Sequence, residues 1–219
     1  MTDLPREVTA ADIAKLLNSV DRAAWRVGYD SRDSVLDADE ISVATGIASA
    51  RVGELLDGAE PEQPPRGHDA REAYYRRLVG RRLNLLRSRA EEAGEAQSYR
   101  RIGDEVDLSH TLVGHLVNGT RSAKVDYSSP LEERYGVPHG FLSKPEGSAL
   151  AEHLTKIKDG LLAGALHRGI RMLGGQRAAL RHTGDAPPTM ETLLEALDDL
   201  MAARTDIQDS QAHSEPDGK

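Results

Sequence analysis

The chain has no cysteine, and it has one tryptophan and one phenylalanine among its 219 residues. Without thiols there is no disulfide and no thiolate metal site. Aromatic residues make up 4% and long runs of Val, Ile and Thr are scarce, which disfavours a sheet-rich fold. No apolar run reaches the ~18 residues a membrane helix needs, and the opening residues contain no apolar signal region. The expectation is a cytoplasmic protein with neither signal peptide nor membrane span. Hydrophobic residues amount to 38%, too few to favour one large core, so small helical modules fit better. No nucleophile–base–acid set or paired-carboxylate signature stands out. GIRMLGGQR (169–177) lacks the Lys-Ser/Thr of a phosphate loop and reads as a helix end. His110 and His115 are too far out of phase on a helix to share a metal. The chain therefore reads as a non-enzyme with no cofactor and no metal.

What is present is unevenly placed charge. The net charge is −8. Residues 1–66 carry net −6, residues 67–145 net +2 and residues 146–219 net −4. Within the middle block, REAYYRRLVGRRLNLLRSRA (71–90) holds seven Arg against one Glu. Net charge governs solubility, whereas a local basic stripe governs contact with polyanions. Arg76, Arg77, Arg81 and Arg82 are thus candidates for phosphate contact.

Three breaks divide the chain: PEQPPRGHDA (61–70), SKPEG (143–147) and HTGDAPPT (182–189). The expected layout is a helical module over 1–60, a linker over 61–70, a second module over 71–146, a helical region over 147–203, and a disordered acidic tail over 204–219.

The most informative stretch is SYRRIGDEVDLSHTLVGHLVNGTRS (98–122). Ser98 can cap a helix over 99–106, with Ile102 and Val106 on one face. Asp107 suits a left-handed turn, because Asp tolerates that backbone better than most residues. Ser109 can cap a second helix over 110–118, whose apolar face is Leu112, Val113, Leu116 and Val117. Gly119 ends it. Gly103 costs its helix ~1 kcal/mol against Ala, so a reason is required. A close crossing of the second helix supplies one. His110 and Thr111 then fall at the exposed entry of that second helix.

These residues resemble the helix–turn–helix of phage-repressor-like (XRE-type) DNA-binding domains, GDEVDLSHTLVGHLVNG matching without a gap. YYRRLVGRRLNLL (74–86) resembles the first helix of that fold, with Tyr75, Leu78, Leu83 and Leu86 inward. YGVPHGFL (135–142) resembles its closing element, and Asp107 stands where the family usually has Gly. The resemblance implies that the second helix lies in the major groove. It assigns DNA contact to Tyr99, His110, Thr111 and His115, with Asn118 and Arg121 near phosphates. Chemistry adds Arg100, Ser109, Thr120 and Lys124 as polar or cationic neighbours. Thr can serve several bases and His can donate to guanine acceptors. Bidentate readers are missing from the helix, so modest discrimination per site is expected.

DEISVATGIASARVGELLDG (39–58) aligns with the same motif at a shift of 61 residues, pairing Ile41 with Ile102, Val52 with Val113 and Leu55 with Leu116. Gly46 occupies the turn, and Asp37 with Glu40 forms a capping-box-like pair. This reads as an internal duplication. The positions matching His110, Thr111, His115 and Asn118 are Ser49, Ala50, Glu54 and Asp57. Acid there repels phosphate, so the first copy reads as a protein-contact or structural module that binds a partner or packs onto the second. Trp25 is expected to anchor its core.

SALAEHLTKIKDGLLAGALHRGIRML (148–173) reads as a long helix, with a second after Pro187-Pro188. Leu150, Leu154, Ile157 and Leu161, then Leu193, Leu197 and Leu200, form apolar stripes expected to dimerise. The layout resembles, more weakly, the mycobacterial nucleoid-associated secretion regulators. The sequence expectation is an all-α fold of two tandem helix–turn–helix modules and a dimerisation region. Its expected partners are double-stranded DNA, a second copy, and a possible protein for residues 1–60. The expected role is sequence-specific transcription regulation at the nucleoid. The alternatives are a protein-interaction adaptor and an architectural DNA-binding protein.

Overall fold

The computed structural model describes residues 7–95, 97–172, 189, 192–196 and 199. The fold is all-α, with no strand among the described residues. The helices are α1 (Ala10–Arg26), α2 (Ala38–Thr45), α3 (Ser49–Leu56), α4 (His68–Glu92), α5 (Tyr99–Val106), α6 (His110–Val117), α7 (Val125–Arg134) and α8 (Glu146–Met172), with a short 3-10 turn at Arg32–Ser34.

Two compact units divide these elements. One comprises the described parts of residues 1–18 and 36–154, the other those of 19–35 and 155–219. These boundaries fall at other places than the breaks in the sequence. The two helix pairs share one unit, and the long helices α1 and α8 each contribute residues to both units.

The first unit holds two apolar clusters. Val79, Leu83, Leu86, Ile102, Val113, Leu116, Leu131 and Leu142 form the centre of one. Ile13, Leu17, Ile41, Val52, Leu55, Leu150 and Leu154 form the other. Each buried Leu or Ile contributes ~1.5–3 kcal/mol. Leu150 and Leu154, both fully buried, therefore belong to this chain's own core and not to a surface for a second copy. The heptad-like spacing is real, but it faces α1, α2 and α3 residues that leave no room for a partner. Tyr74, rather than Tyr75, is the inward tyrosine of α4. It lies four residues before Leu78 and eight before Arg82, on one helical stripe, and its hydroxyl donates to the Glu62 carbonyl at 3.3 Å. Leu78, Leu83 and Leu86 are buried as expected.

The expected linker is a packed strap. Pro61 is buried. The Glu62 amide donates to Glu146 at 2.9 Å, and the Gln63 side chain donates to the Val8 carbonyl. α4 then starts at His68, inside the stretch read as linker.

In the second unit, Ala23, Leu162 and Leu194 cluster, with Leu161 half-buried beside them. Arg168 donates to the Val27 carbonyl at 2.8 Å. Ile157 and Leu193 are half-buried, while Leu197 and Leu200 lie outside the described residues, as does the segment read as an acidic tail. Trp25 is 77% exposed and anchors no core. The buried stripe of α1 runs through Ile13, Leu17, Val20 and Ala24, and Trp25 sits ~100° round the helix from Ala24.

Candidate nucleic-acid interface

α5 and α6 are eight residues each and are joined by three. Ser98 caps α5 by accepting from the Arg101 amide at 3.2 Å. Ser109 caps α6 by accepting from the Leu112 amide at 3.2 Å. Between them Asp107 adopts φ 56°, the one non-glycine residue with positive φ among those described. The Asp107 and Leu108 amides both donate to the Gly103 carbonyl, closing the turn. A Cβ on Gly103 would stand 2.3 Å from the Leu108 carbonyl oxygen and 3.3 Å from the His110 nitrogen. The glycine is thus required by the close approach of the two helices.

The far end of α6 is fastened to α4. Gly119, at φ 64°, ends the helix, with its amide donating to the Leu116 carbonyl and the Thr120 amide to the His115 carbonyl. This is the paired bonding of a Schellman ending. A Cβ on Gly80 of α4 would lie 2.9 Å from the Val117 carbonyl. Asn84 clamps the same place, donating to both the Gly80 and Val117 carbonyls at 3.0 Å. α6 is therefore held rigidly at its end, while its first residues stay open.

His110, Thr111, His115, Asn118, Thr120, Arg121 and Lys124 are exposed, as are Arg100 and Ser109. Arg100, Arg121 and Lys124 make no ion pair with any described residue. Neighbouring charge is already matched. Arg101 donates to Glu105 at 2.8 Å and Arg134 does so at 2.6 Å. The Arg101 and Arg134 guanidiniums hold the Glu105 carboxyl below the usual range. Tyr99 is half-buried rather than free. Its ring lies 4.8 Å from the Arg87 guanidinium and would meet a Cβ on Gly114 at 3.3 Å. It braces α5 on α6.

Two features were not anticipated from the sequence. His115 Nδ1 stands 2.9 Å from the Thr120 hydroxyl, which itself donates to the His115 carbonyl at 3.1 Å. The hydroxyl thus ties the His115 ring to the turn after α6 and fixes its orientation. Ser122 donates to Glu72 at 2.5 Å, holding the segment after α6 against α4. The first contact follows from the turn at Gly119, which folds Thr120 back over His115, whereas the second joins residues 50 apart and has no local signal.

The arginine stripe of α4 is corrected. Arg82 is fully buried and cannot reach a phosphate. Arg81 pairs with Glu62 at 2.7 Å and Arg77 with the same carboxylate at 3.7 Å. Of the three that are not buried, Arg76 alone has no ion pair with a described residue.

The upstream helix pair keeps the same register. A shift of 61 residues carries α2 onto α5 and α3 onto α6 in every residue of their bounds. Asp37 caps α2 by accepting from the Asp39 and Glu40 amides, and Gly46 turns the chain at φ 71°. The surfaces differ. Arg51 of α3 pairs with Glu54 at 2.7 Å and Glu146 at 3.0 Å, and α3 has no side-chain cap. Arg89 of α4 reaches Ser42 of α2 at 2.8 Å, so this pair packs on the same unit's α4.

No family model, curated protein or solved structure matches the chain. No helix among the described residues is long and apolar enough to cross a membrane.

Proposed function

We propose that the chain is a sequence-specific DNA-binding transcription regulator of the XRE type, with α6 lying in the major groove. One observation carries the reading. Two helix pairs share one register, yet where the second carries His110 and Thr111 at the entry of α6 the first has only Ser49 and Ala50 at the entry of α3. In the second pair His110, Thr111 and His115 stand exposed, with Arg100, Arg121 and Lys124 unpaired around them. Base edges take the first three and phosphates the cations. The first pair serves as a buttress, its α3 entry engaged with Glu146 and its exposed end carrying Glu54 and Asp57.

The regulator acts at the nucleoid as a homodimer. With Leu150 and Leu154 withdrawn into the core, the second copy is assigned to the second unit. There Trp25, Tyr29 and Ile170 are three of the five large hydrophobic residues exposed among those described. A two-fold dimer requires half-sites about one helical turn, ~34 Å, or a multiple apart.

Binding of the full chain to a selected site and to random DNA tests this. His110→Ala and Thr111→Ala each cost ~1–3 kcal/mol on the selected site alone. Arg121→Ala weakens both and lowers the salt slope by about one unit. Equal losses on both DNAs for the first two variants would remove α6 as the reading element.

A further inference from the structure

Trp25 leaves most of its indole in water, at 77% exposure, and that exposure needs a reason. An indole offers a large apolar area, and Trp with Arg is what protein interfaces bury at their centres. No guanidinium stands over the Trp25 ring within the chain, as one does over Tyr99 and Tyr135.

The ground beside it is firmly built. Gly28, at φ 90°, turns the chain at the end of α1, and the Tyr29 amide donates to the Ala24 carbonyl at 3.1 Å. The chain then runs back along α1. The Arg32 amide donates to Asp21 at 3.2 Å, and the Arg32 guanidinium pairs with the same carboxylate at 3.5 Å. Trp25 thereby lines a groove of about 620 Å³, all of whose lining residues belong to the second unit.

Arg22, Arg26, Asp30 and Glu195 line the same groove and are exposed. Arg22 and Arg26 stand one turn apart on α1, on either side of Trp25. Arg22 reaches the Ser19 hydroxyl at 3.3 Å, and neither arginine pairs with a carboxylate among the described residues. Asp30 and Glu195 likewise pair with no described cation. Two free cations and two free carboxylates around one exposed indole form a patch complementary to itself. A two-fold contact requires that, because both copies present the same surface. DNA would be repelled by the two carboxylates, and a peptide of one charge sign would meet two like charges.

We propose that a second copy of this chain covers the groove. The two-fold axis passes beside Trp25, the two indoles are buried at the centre, and Arg22 and Arg26 of each copy face Asp30 and Glu195 of the other. The assignment rests on the homodimer reading and places the contact at the end of α1.

Full-length protein without DNA tests it, by light scattering and by the emission of Trp25, the one tryptophan. As concentration rises, the emission maximum shifts to the blue in step with a doubling of mass. Trp25→Ala stays at the monomer mass. The double variants Arg22→Glu/Arg26→Glu and Asp30→Lys/Glu195→Lys are each monomeric alone, and their mixture regains the dimer mass. That mixture serves even if Trp25→Ala does not fold. A wild-type dimer with unshifted emission, or double variants that each dimerise alone, overturns this groove and leaves the homodimer standing. Double variants that stay monomeric when mixed overturn the charge pairing. A wild-type monomer at every concentration overturns both and leaves the groove to a partner other than a second copy.

Discussion

Gly103→Ala is the sharpest test of the α5–α6 geometry. In an open helix this change is favourable by ~1 kcal/mol, because Ala loses less backbone entropy. Here the new Cβ would stand 2.3 Å from the Leu108 carbonyl oxygen. That atom belongs to the turn backbone, so no rotamer change relieves the contact. The helices must separate by roughly an ångström to restore van der Waals distance, and overpacking of this kind costs ~1–3 kcal/mol or more. The clash exceeds the propensity gain, so net destabilisation of ~1–2 kcal/mol is expected. Gly53→Ala is the control. It lies mid-helix in α3 and its added Cβ meets nothing within 4 Å, so it should stabilise by ~0.5–1 kcal/mol. The single tryptophan lies in the other unit and is a poor probe of this one. Native-state hydrogen exchange on α5 and α6 peptides reads the right region. Protection unchanged or raised in Gly103→Ala would refute the close crossing.

Other outcomes follow from the same contacts. Asp107→Gly relieves the left-handed backbone at φ 56° and should add ~1 kcal/mol in denaturant unfolding, while Asp107→Val should lose stability. Glu105 has its pKa depressed by Arg101 and Arg134. Its contribution is full above the ordinary value of 4.5 and is lost as pH falls through the lower folded value. Glu105→Gln should therefore flatten the acid limb of a stability–pH curve and leave the alkaline limb unchanged. Leu154→Ala should cost ~2–5 kcal/mol in unfolding, as a core residue does, without changing the mass measured by light scattering at native pH.

Local signals in the sequence carried well. Ser98, Ser109 and Asp37 cap the helices they precede, and Gly46 and Asp107 turn left-handed. Gly103 is tight for the reason its helix cost suggested. The 61-residue shift holds in the bounds of both helix pairs. Each of these is decided within a few residues of chain. What failed depends on distant partners. Nothing near Leu150 reveals that Ile13 and Leu17 cover it, because an apolar stripe has the same spacing whether it meets its own chain or another. Arg82 looks like its neighbours in RRLVGRR, yet it falls in line with Tyr74 and Leu78 and goes inside. Trp25 suggests a core anchor by residue type, but its helical phase points it outward. Proline and charge marked 61–70 as linker, but its bonds to Val8 and Glu146 come from 55 and 84 residues away.

The central claim is that α6 reads base edges. Purified full-length protein titrated against pooled genomic fragments at two salt concentrations, with the retained fragments sequenced, tests it most directly. The account predicts a recurring two-fold symmetric site whose enrichment persists at the higher salt, because base contacts outlast phosphate contacts. Retention of all fragments alike, vanishing with salt, would contradict it, as would no retention at either salt.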